Sequence, residues 1–224
     1  MIVLIVFIKF PRVELQEDEK VGSKASYVEL FKNKYVILYF LGIFMYVGTE
    51  QGISYWMSKF LSNYHGFDPN TTGADAVSYF WGLMTIGGVL GLILLKVLDS
   101  KIVLRWFTIL AIVSLAAGLW GGDKLSLWAF PVSGFFLSVM YPVIVSLGLN
   151  SVSKHHGSFT GILMTGIAGG AVVQLLIGGI SDVTSLKMGM MFLFVTLGYI
   201  LSISFWAKPI IRNKTVSVKS IFKS

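Results

Sequence analysis

Glu50 is the acidic side chain that lies deepest within an apolar segment of this chain. A carboxylate in the core of a bilayer costs about 2.5–3.5 kcal/mol or more, so such groups usually face a cavity and serve a function. The functional interpretation is an acceptor for ligand hydroxyl groups or a proton carrier. The structural alternative is a protonated or internally paired glutamate that fixes packing around Gly48 and Gly52. We favour a functional role.

The residues around Glu50 divide into two faces of one predicted helix. Gln51 both donates and accepts hydrogen bonds, which suits a hydroxyl-rich ligand, although interhelical hydrogen bonding is an equal alternative. Ser54 and Tyr55 share the face of Gln51, and Tyr46 shares the face of Glu50, because residues three or four apart are neighbours on a helix. The two faces lie about 100° apart, so all five fit one narrow pocket only if the flanking glycines loosen the helix.

A second set of polar residues lies near Pro142 in the fourth apolar segment. A proline in mid-helix frees a backbone carbonyl and kinks the helix, and neighbours or water must satisfy the freed group. Ser138, Tyr141 and Ser146 accompany it, a pattern typical of cavity linings and gates. The alternative is a packing kink whose serines bond back to their own helix.

Composition identifies the chain as an integral membrane protein. Its 224 residues are 55% hydrophobic and 13% charged, with a mean hydropathy of +0.77. Soluble domains are about 45–50% apolar and about 25% charged. Cysteine is absent, which excludes disulfides and thiolate chemistry. The sequence shows no catalytic triad, carboxylate pair or phosphate-binding loop, so we expect no enzyme, no cofactor and no metal.

The apolar segments predict an all-α bundle of six transmembrane helices within residues 35–207. A helix needs about 20 mostly apolar residues to cross the hydrocarbon core. Six stretches qualify, and none alternates with the two-residue period of a barrel strand. These stretches are residues 36–58, 77–98, 102–120, 125–147, 157–180 and 188–207.

The flanking segments carry separate expectations. Residues 1–10 are apolar but too short to span, and we interpret them as the tail of a truncated transmembrane helix. Residues 11–34 are predicted to form a cytoplasmic linker with a short interfacial helix, because Ser26 and Glu29 have the spacing of a capping box. Residues 208–224 form a basic cytoplasmic tail.

Basic residues predict the orientation. With six spans, fifteen of the eighteen Lys and Arg residues fall on the side of the two termini. The positive-inside rule then places both termini in the cytoplasm. The net charge of +7 is thus explained by topology, and we expect no nucleic-acid partner.

Four stretches resemble a known family. The loop after the second span, with Gly91, Asp99, Lys101 and Arg105, is similar to the Gly…Asp…Arg loop signature of the major facilitator superfamily. Residues 46–53, 136–148 and 164–173 resemble the C-terminal half of the fucose permease branch, whose members are proton-coupled sugar symporters.

The resemblance implies transport of a monosaccharide such as fucose, glucose or galactose by alternating access, in the inner membrane of a bacterium. Complete members hold substrate between two six-helix halves near the midplane of the membrane. The acidic residues credited with coupling in that family lie in the first half, so coupling is assigned to no residue here. The partners implied are a sugar, protons, the bilayer, and a separate N-terminal half or a second copy. The rival hypotheses are an inactive truncated remnant and a membrane-embedded interaction protein.

The candidates for substrate binding are Glu50, Gln51, Tyr46, Ser54, Tyr55, Tyr141 and Ser138, and those for gating or kinking are Gly48, Gly52 and Pro142.

Overall fold

A computed structural model describes Gly22 and residues 24–210, without the side chains of residues 24 and 25. Two of the expectations above, the helix tail at residues 1–10 and most of the basic tail at 208–224, therefore lie outside the described residues. So does half of the linker at 11–34.

Nine α-helices account for most of the described chain, and no strand occurs among those residues. The helices are α1 (Lys24–Lys32), α2 (Lys34–His65), α3 (Thr72–Val97), α4 (Ser100–Trp120), α5 (Asp123–Leu137), α6 (Met140–Leu149), α7 (His156–Thr165), α8 (Gly169–Val183) and α9 (Leu186–Trp206). A single 3₁₀ turn, Gly166–Ala168, joins α7 to α8.

The helices form six membrane-spanning units, as the sequence predicts. Helices α2, α3, α4 and α9 each span alone, α5 with α6 forms the fourth unit, and α7 with α8 forms the fifth. Most predicted ends lie within three residues of the observed ones, but α2 continues to His65, seven residues beyond its predicted end, and α3 begins at Thr72, five residues before its predicted start. Asn33 caps α2 by accepting a hydrogen bond from the Tyr35 amide at 3.0 Å.

The capping box at Ser26 does not start the short helix. Helix α1 begins at Lys24, so Ser26 lies inside it and its side chain is buried. The buried Ser158 hydroxyl accepts a hydrogen bond from the Gly22 amide at 2.8 Å, which ties this segment to α7. This tertiary contact and the burial of Ser26 override the local capping signal.

Helix α2 lies at the centre of the bundle and packs against every spanning helix except α4. Helix α3 lies at the periphery, and only 17% of its most apolar window is buried. Its exposed apolar side chains are suited to contact with lipid, since the hydrocarbon tails are as apolar as the side chains themselves.

Glycines set the closest helix contacts. A Cβ at Gly169 would overlap the carbonyl of Phe44, so α8 meets the backbone of α2 directly. A Cβ at Gly91 would overlap the side chain of Val139. Gly87, Gly166 and Gly170 also lie at close contacts between helices, where an added Cβ would crowd a neighbouring residue.

The fourth and fifth spans are interrupted. Helix α2, which was expected to loosen at its glycines, is continuous. The fourth span breaks at residues 138–139, where Pro142 removes the hydrogen bond to the Ser138 carbonyl and crowds it. The fifth span narrows to the 3₁₀ turn, which the sequence analysis did not predict. Helix α2 runs unbroken through Gly48 and Gly52, which corrects the expectation that they loosen it. Tight packing against Val173 and Leu193 explains both glycines.

Candidate functional site

An open cleft of about 450 Å³ lies between α2, the break in the fourth span and the 3₁₀ turn of the fifth. Three spans that are distant in sequence therefore contribute one wall each. The side chains that line the cleft are Tyr46, Val47, Glu50, Gln51, Ser138, Tyr141, Pro142 and Ile167.

Glu50 is the acidic group of the cleft, and its polar neighbours surround it. The Gln51 side-chain amide donates to a Glu50 carboxylate oxygen at 3.3 Å. Tyr46 and Tyr141 both interact electrostatically with Glu50, and their ring centroids are 5.8 Å apart. Both Glu50 and Gln51 are half-buried, so they retain polar surface that faces the cleft.

The break in the fourth span positions the opposite wall. The Ser138 hydroxyl donates to the Phe135 carbonyl at 2.7 Å, the back-bonding pattern of the structural alternative. Its oxygen still lines the cleft and has lone pairs to accept a further bond. The Tyr141 hydroxyl makes a weak contact with the Met164 sulfur at 3.4 Å, so a better acceptor can replace that partner.

Two of the predicted ligand residues lie elsewhere. Ser54 is buried, and its hydroxyl donates to the Gln51 carbonyl at 3.3 Å. Tyr55 is 62% exposed and lines a second cleft, further along α2. Glu50 and Gln51 line the same cleft although they lie on different faces of the helix, whereas neither Ser54 nor Tyr55 lines it.

The sequence analysis missed two residues that line the cleft, Val47 and Ile167. Both are apolar residues in apolar spans, so their types carry no signal of a site. Ile167 reaches the cleft because it lies in the 3₁₀ turn. Val47 reaches it because this side of α2 faces the turn.

Asp99, Lys101 and Arg105 of the loop signature connect two helices, and none of these three residues lines the cleft. Asp99 caps α4 by accepting from the Lys101 amide at 2.8 Å. The Lys101 ammonium donates to the Ala207 carbonyl at 2.8 Å, and Arg105 donates to the Ser204 carbonyl at 3.4 Å. Cations are favourable at the C-terminal end of a helix, so these contacts join the start of α4 to the end of α9.

The cleft combines a carboxylate, an amide, two phenols and an aliphatic hydroxyl with aromatic and aliphatic surface. Such a mixture of donors and acceptors suits a neutral ligand with several hydroxyl groups. Within the residues that the structure describes, no group of three or more His, Asp or Glu residues could hold a metal ion.

The family model of the Major Facilitator Superfamily matches residues 1–175. The chain belongs to this superfamily. Its fold agrees, because the structure superposes on a crystal structure of the fucose:proton symporter FucP of Escherichia coli with a TM-score of 0.80 at 21% identity. A second FucP structure, in the outward conformation, gives a TM-score of 0.78 at 19% identity. The first match covers 92% of this chain and 51% of that chain.

Curated relatives in the superfamily are named sugar transporters. The glucose/galactose transporter of Brucella abortus is 28% identical over 205 residues, covering 89% of this chain and 48% of the relative. A putative glucose/galactose transporter of Helicobacter pylori is 28% identical over 183 residues, covering 81% and 44%. The L-fucose-proton symporter of Escherichia coli is 29% identical over 188 residues, covering 80% and 42%. The chain spans about half the length of the curated relatives it matches.

Proposed function

We propose that this major facilitator chain forms one six-helix half of a sugar carrier that works by alternating access. The observation that supports this most directly is the cluster of Tyr46, Glu50, Gln51 and Tyr141 around one open cleft. Relatives named as glucose/galactose and fucose transporters support the same substrate class. The substrate is then a monosaccharide such as glucose, galactose or fucose.

The cleft is one wall of the sugar site. It is open on one side, so enclosing a ligand requires a facing surface from a second six-helix unit. That unit belongs to a separate N-terminal half, to further sequence of the same polypeptide, or to a second copy of the chain. An inactive bundle and a membrane-embedded interaction protein are the alternatives to transport.

Transport is proposed to be coupled to protons. Glu50 is the carboxylate of the cleft, and a carboxyl group in such a place binds either a proton or a ligand hydroxyl. The location proposed is the bacterial inner membrane with both termini in the cytoplasm. The asymmetric distribution of Lys and Arg supports this orientation.

Reconstitution of the purified chain in liposomes tests the proposal. We expect radiolabelled D-galactose, D-glucose or L-fucose to bind, and unlabelled sugar to displace it. Concentrative uptake should require a second six-helix unit. If the chain alone accumulates sugar in a pH gradient, two copies rebuild the carrier. If no sugar binds, with or without a second unit, the transport proposal is wrong.

A further inference from the structure

Helix α2 borders a second cleft, about 330 Å³ in volume, beyond the central one. It lies near the end of the helix that carries Gly66, on the side opposite to the predicted cytoplasmic face. Six of its seven lining residues belong to α2. They are Tyr55, Trp56, Ser58, Lys59, Ser62 and Asn63, and Pro69 completes the wall.

The two clefts lie on one continuous stripe of α2. Gln51 lines the central cleft, and Tyr55, Lys59 and Asn63 line the outer one. Residues four apart lie one above the other on a helix, so these four form a single row. With a rise of about 1.5 Å per residue, Gln51 and Lys59 are about 12 Å apart along the axis.

The outer cleft has an aromatic wall. Tyr55 is 62% exposed, and its ring packs edge-on against Trp56 with centroids 5.1 Å apart. The Lys59 ammonium lies 5.2 Å from the centre of the Trp56 ring, within the range of a cation–π contact. The Trp56 indole nitrogen is buried and has no hydrogen-bond partner among the described residues. Because this nitrogen is inaccessible, Trp56 contributes ring surface to the wall, and the polar groups of the wall are those of Lys59, Ser62 and Asn63.

The loop after α2 shapes the rim. Gly66 takes a left-handed conformation, φ 69°, which turns the chain back at the end of the helix. The Ser58 hydroxyl then donates to the Pro69 carbonyl at 3.3 Å. A Cβ at Gly73 would overlap the Ser58 side chain, so the loop and α3 press closely on this wall. The packing of the loop and of α3 against α2 therefore determines the shape of the cleft.

We propose that the outer cleft is a second binding station for a neutral monosaccharide, occupied before or after the central cleft. The sugar class rests on the proposed function. The apolar face of the sugar packs on Tyr55, and its hydroxyl groups bond to Lys59, Ser62 and Asn63. The competing explanation is an interfacial belt, in which Tyr55 and Trp56 only anchor the helix between lipid and water.

Single-cysteine labelling in the full chain tests this station, because the chain contains no cysteine. Ser62→Cys reports on the outer cleft and Ser138→Cys on the central one. Thr184→Cys, at the exposed residue that follows α8, reports on a site outside both. The rate of reaction with a maleimide is measured in reconstituted protein, with increasing D-galactose, D-glucose or L-fucose. We expect sugar to slow labelling at Ser62→Cys and Ser138→Cys, and to leave Thr184→Cys unchanged.

Variants then separate the two stations. Tyr55→Ala should raise the sugar concentration that half-protects Ser62→Cys about tenfold, as expected for loss of one aromatic contact. Protection of Ser138→Cys should change less than about twofold, because Tyr55 does not line the central cleft. Tyr55→Phe retains the ring and should retain protection. Tyr79→Ala is the matched control, because Tyr79 is an exposed tyrosine of α3 that stacks on Trp128.

Each remaining outcome decides against the station. Protection at Ser138→Cys without protection at Ser62→Cys overturns the outer station and leaves the proposed function standing. Equal protection at Ser62→Cys in Tyr55→Ala and its parent also overturns it. Failure of Ser62→Cys to react in the absence of sugar shows that another surface covers the cleft. Absence of protection at both sites rejects the station and the sugar-binding function together.

Discussion

Tyr46 and Tyr141 place their ring centroids 5.8 Å apart across the central cleft, although 94 residues separate them in sequence. Their planes are inclined at 53°, and both residues interact electrostatically with Glu50. The break in the fourth span brings Tyr141 to this position. The polar lining of the cleft therefore depends both on the Glu50 carboxylate of α2 and on the break in the fourth span.

Glu50 should reveal its role through two substitutions. Glu50→Gln retains size and hydrogen-bonding capacity without the charge, and Glu50→Ala removes both. If Glu50 accepts a sugar hydroxyl, Ala should weaken binding more than Gln, by about 1.5–3 kcal/mol for a lost charge-assisted bond. If Glu50 carries the proton, both variants should lose concentrative uptake and retain sugar exchange. The measurements are equilibrium sugar binding and exchange in liposomes that contain a functional carrier.

A third result would assign Glu50 to packing alone. In that case Gln leaves uptake intact, and Ala mainly lowers the amount of folded protein. Normal binding and uptake by well-folded Glu50→Ala protein would remove Glu50 from the site.

Pro142→Ala should straighten the fourth span. The new amide at position 142 can donate to the Ser138 carbonyl, so α5 and α6 can join into one helix and displace Tyr141. We expect slower amide hydrogen exchange around residues 138–142 and weaker sugar binding, by about tenfold for each 1.4 kcal/mol lost. Pro131→Ala is the control, because Pro131 lies inside unbroken α5 and outside the cleft. Slower exchange with unchanged binding would show that the break does not position the site.

Gly169→Ala should destabilise the bundle. The added methyl group would meet the backbone of Phe44, which cannot rotate away as a side chain can. The expected cost is about 1–3 kcal/mol, the usual range for overpacking. Thermal unfolding in detergent measures it. Gly179→Ala, in the same helix, meets nothing within 4 Å and should be neutral or stabilising by up to about 1 kcal/mol. Equal melting temperatures for both variants would contradict the close-approach argument.

Cysteine labelling in intact cells should establish the orientation. Asn70 lies in the exposed loop between α2 and α3, and Ser153 in the exposed loop between α6 and α7. From the distribution of Lys and Arg, Asn70→Cys should react with a membrane-impermeant maleimide, and Ser153→Cys should react only after permeabilisation. The reverse pattern would invert the orientation.

Sequence alone determined the number of spans and the resemblance to the superfamily, and it selected Glu50 as a candidate site residue. These follow from local properties: a run of about 20 apolar residues predicts a span, and an acidic residue within it is costly wherever it faces. Pro142 belongs to the same class, because its missing amide disrupts a helix in any context.

Only tertiary structure decided which candidates meet. Gln51 and Tyr55 share a helix face, yet they line different clefts, because different residues of the neighbouring segments surround each of them. Gly48 was interpreted as a point of flexibility, but contact with Val173 makes it a point of close packing. The 3₁₀ turn and Ile167 carry no local signal that distinguishes them from other apolar sequence. Helical periodicity specifies the direction in which a side chain points, and the packing of neighbouring helices determines what it meets.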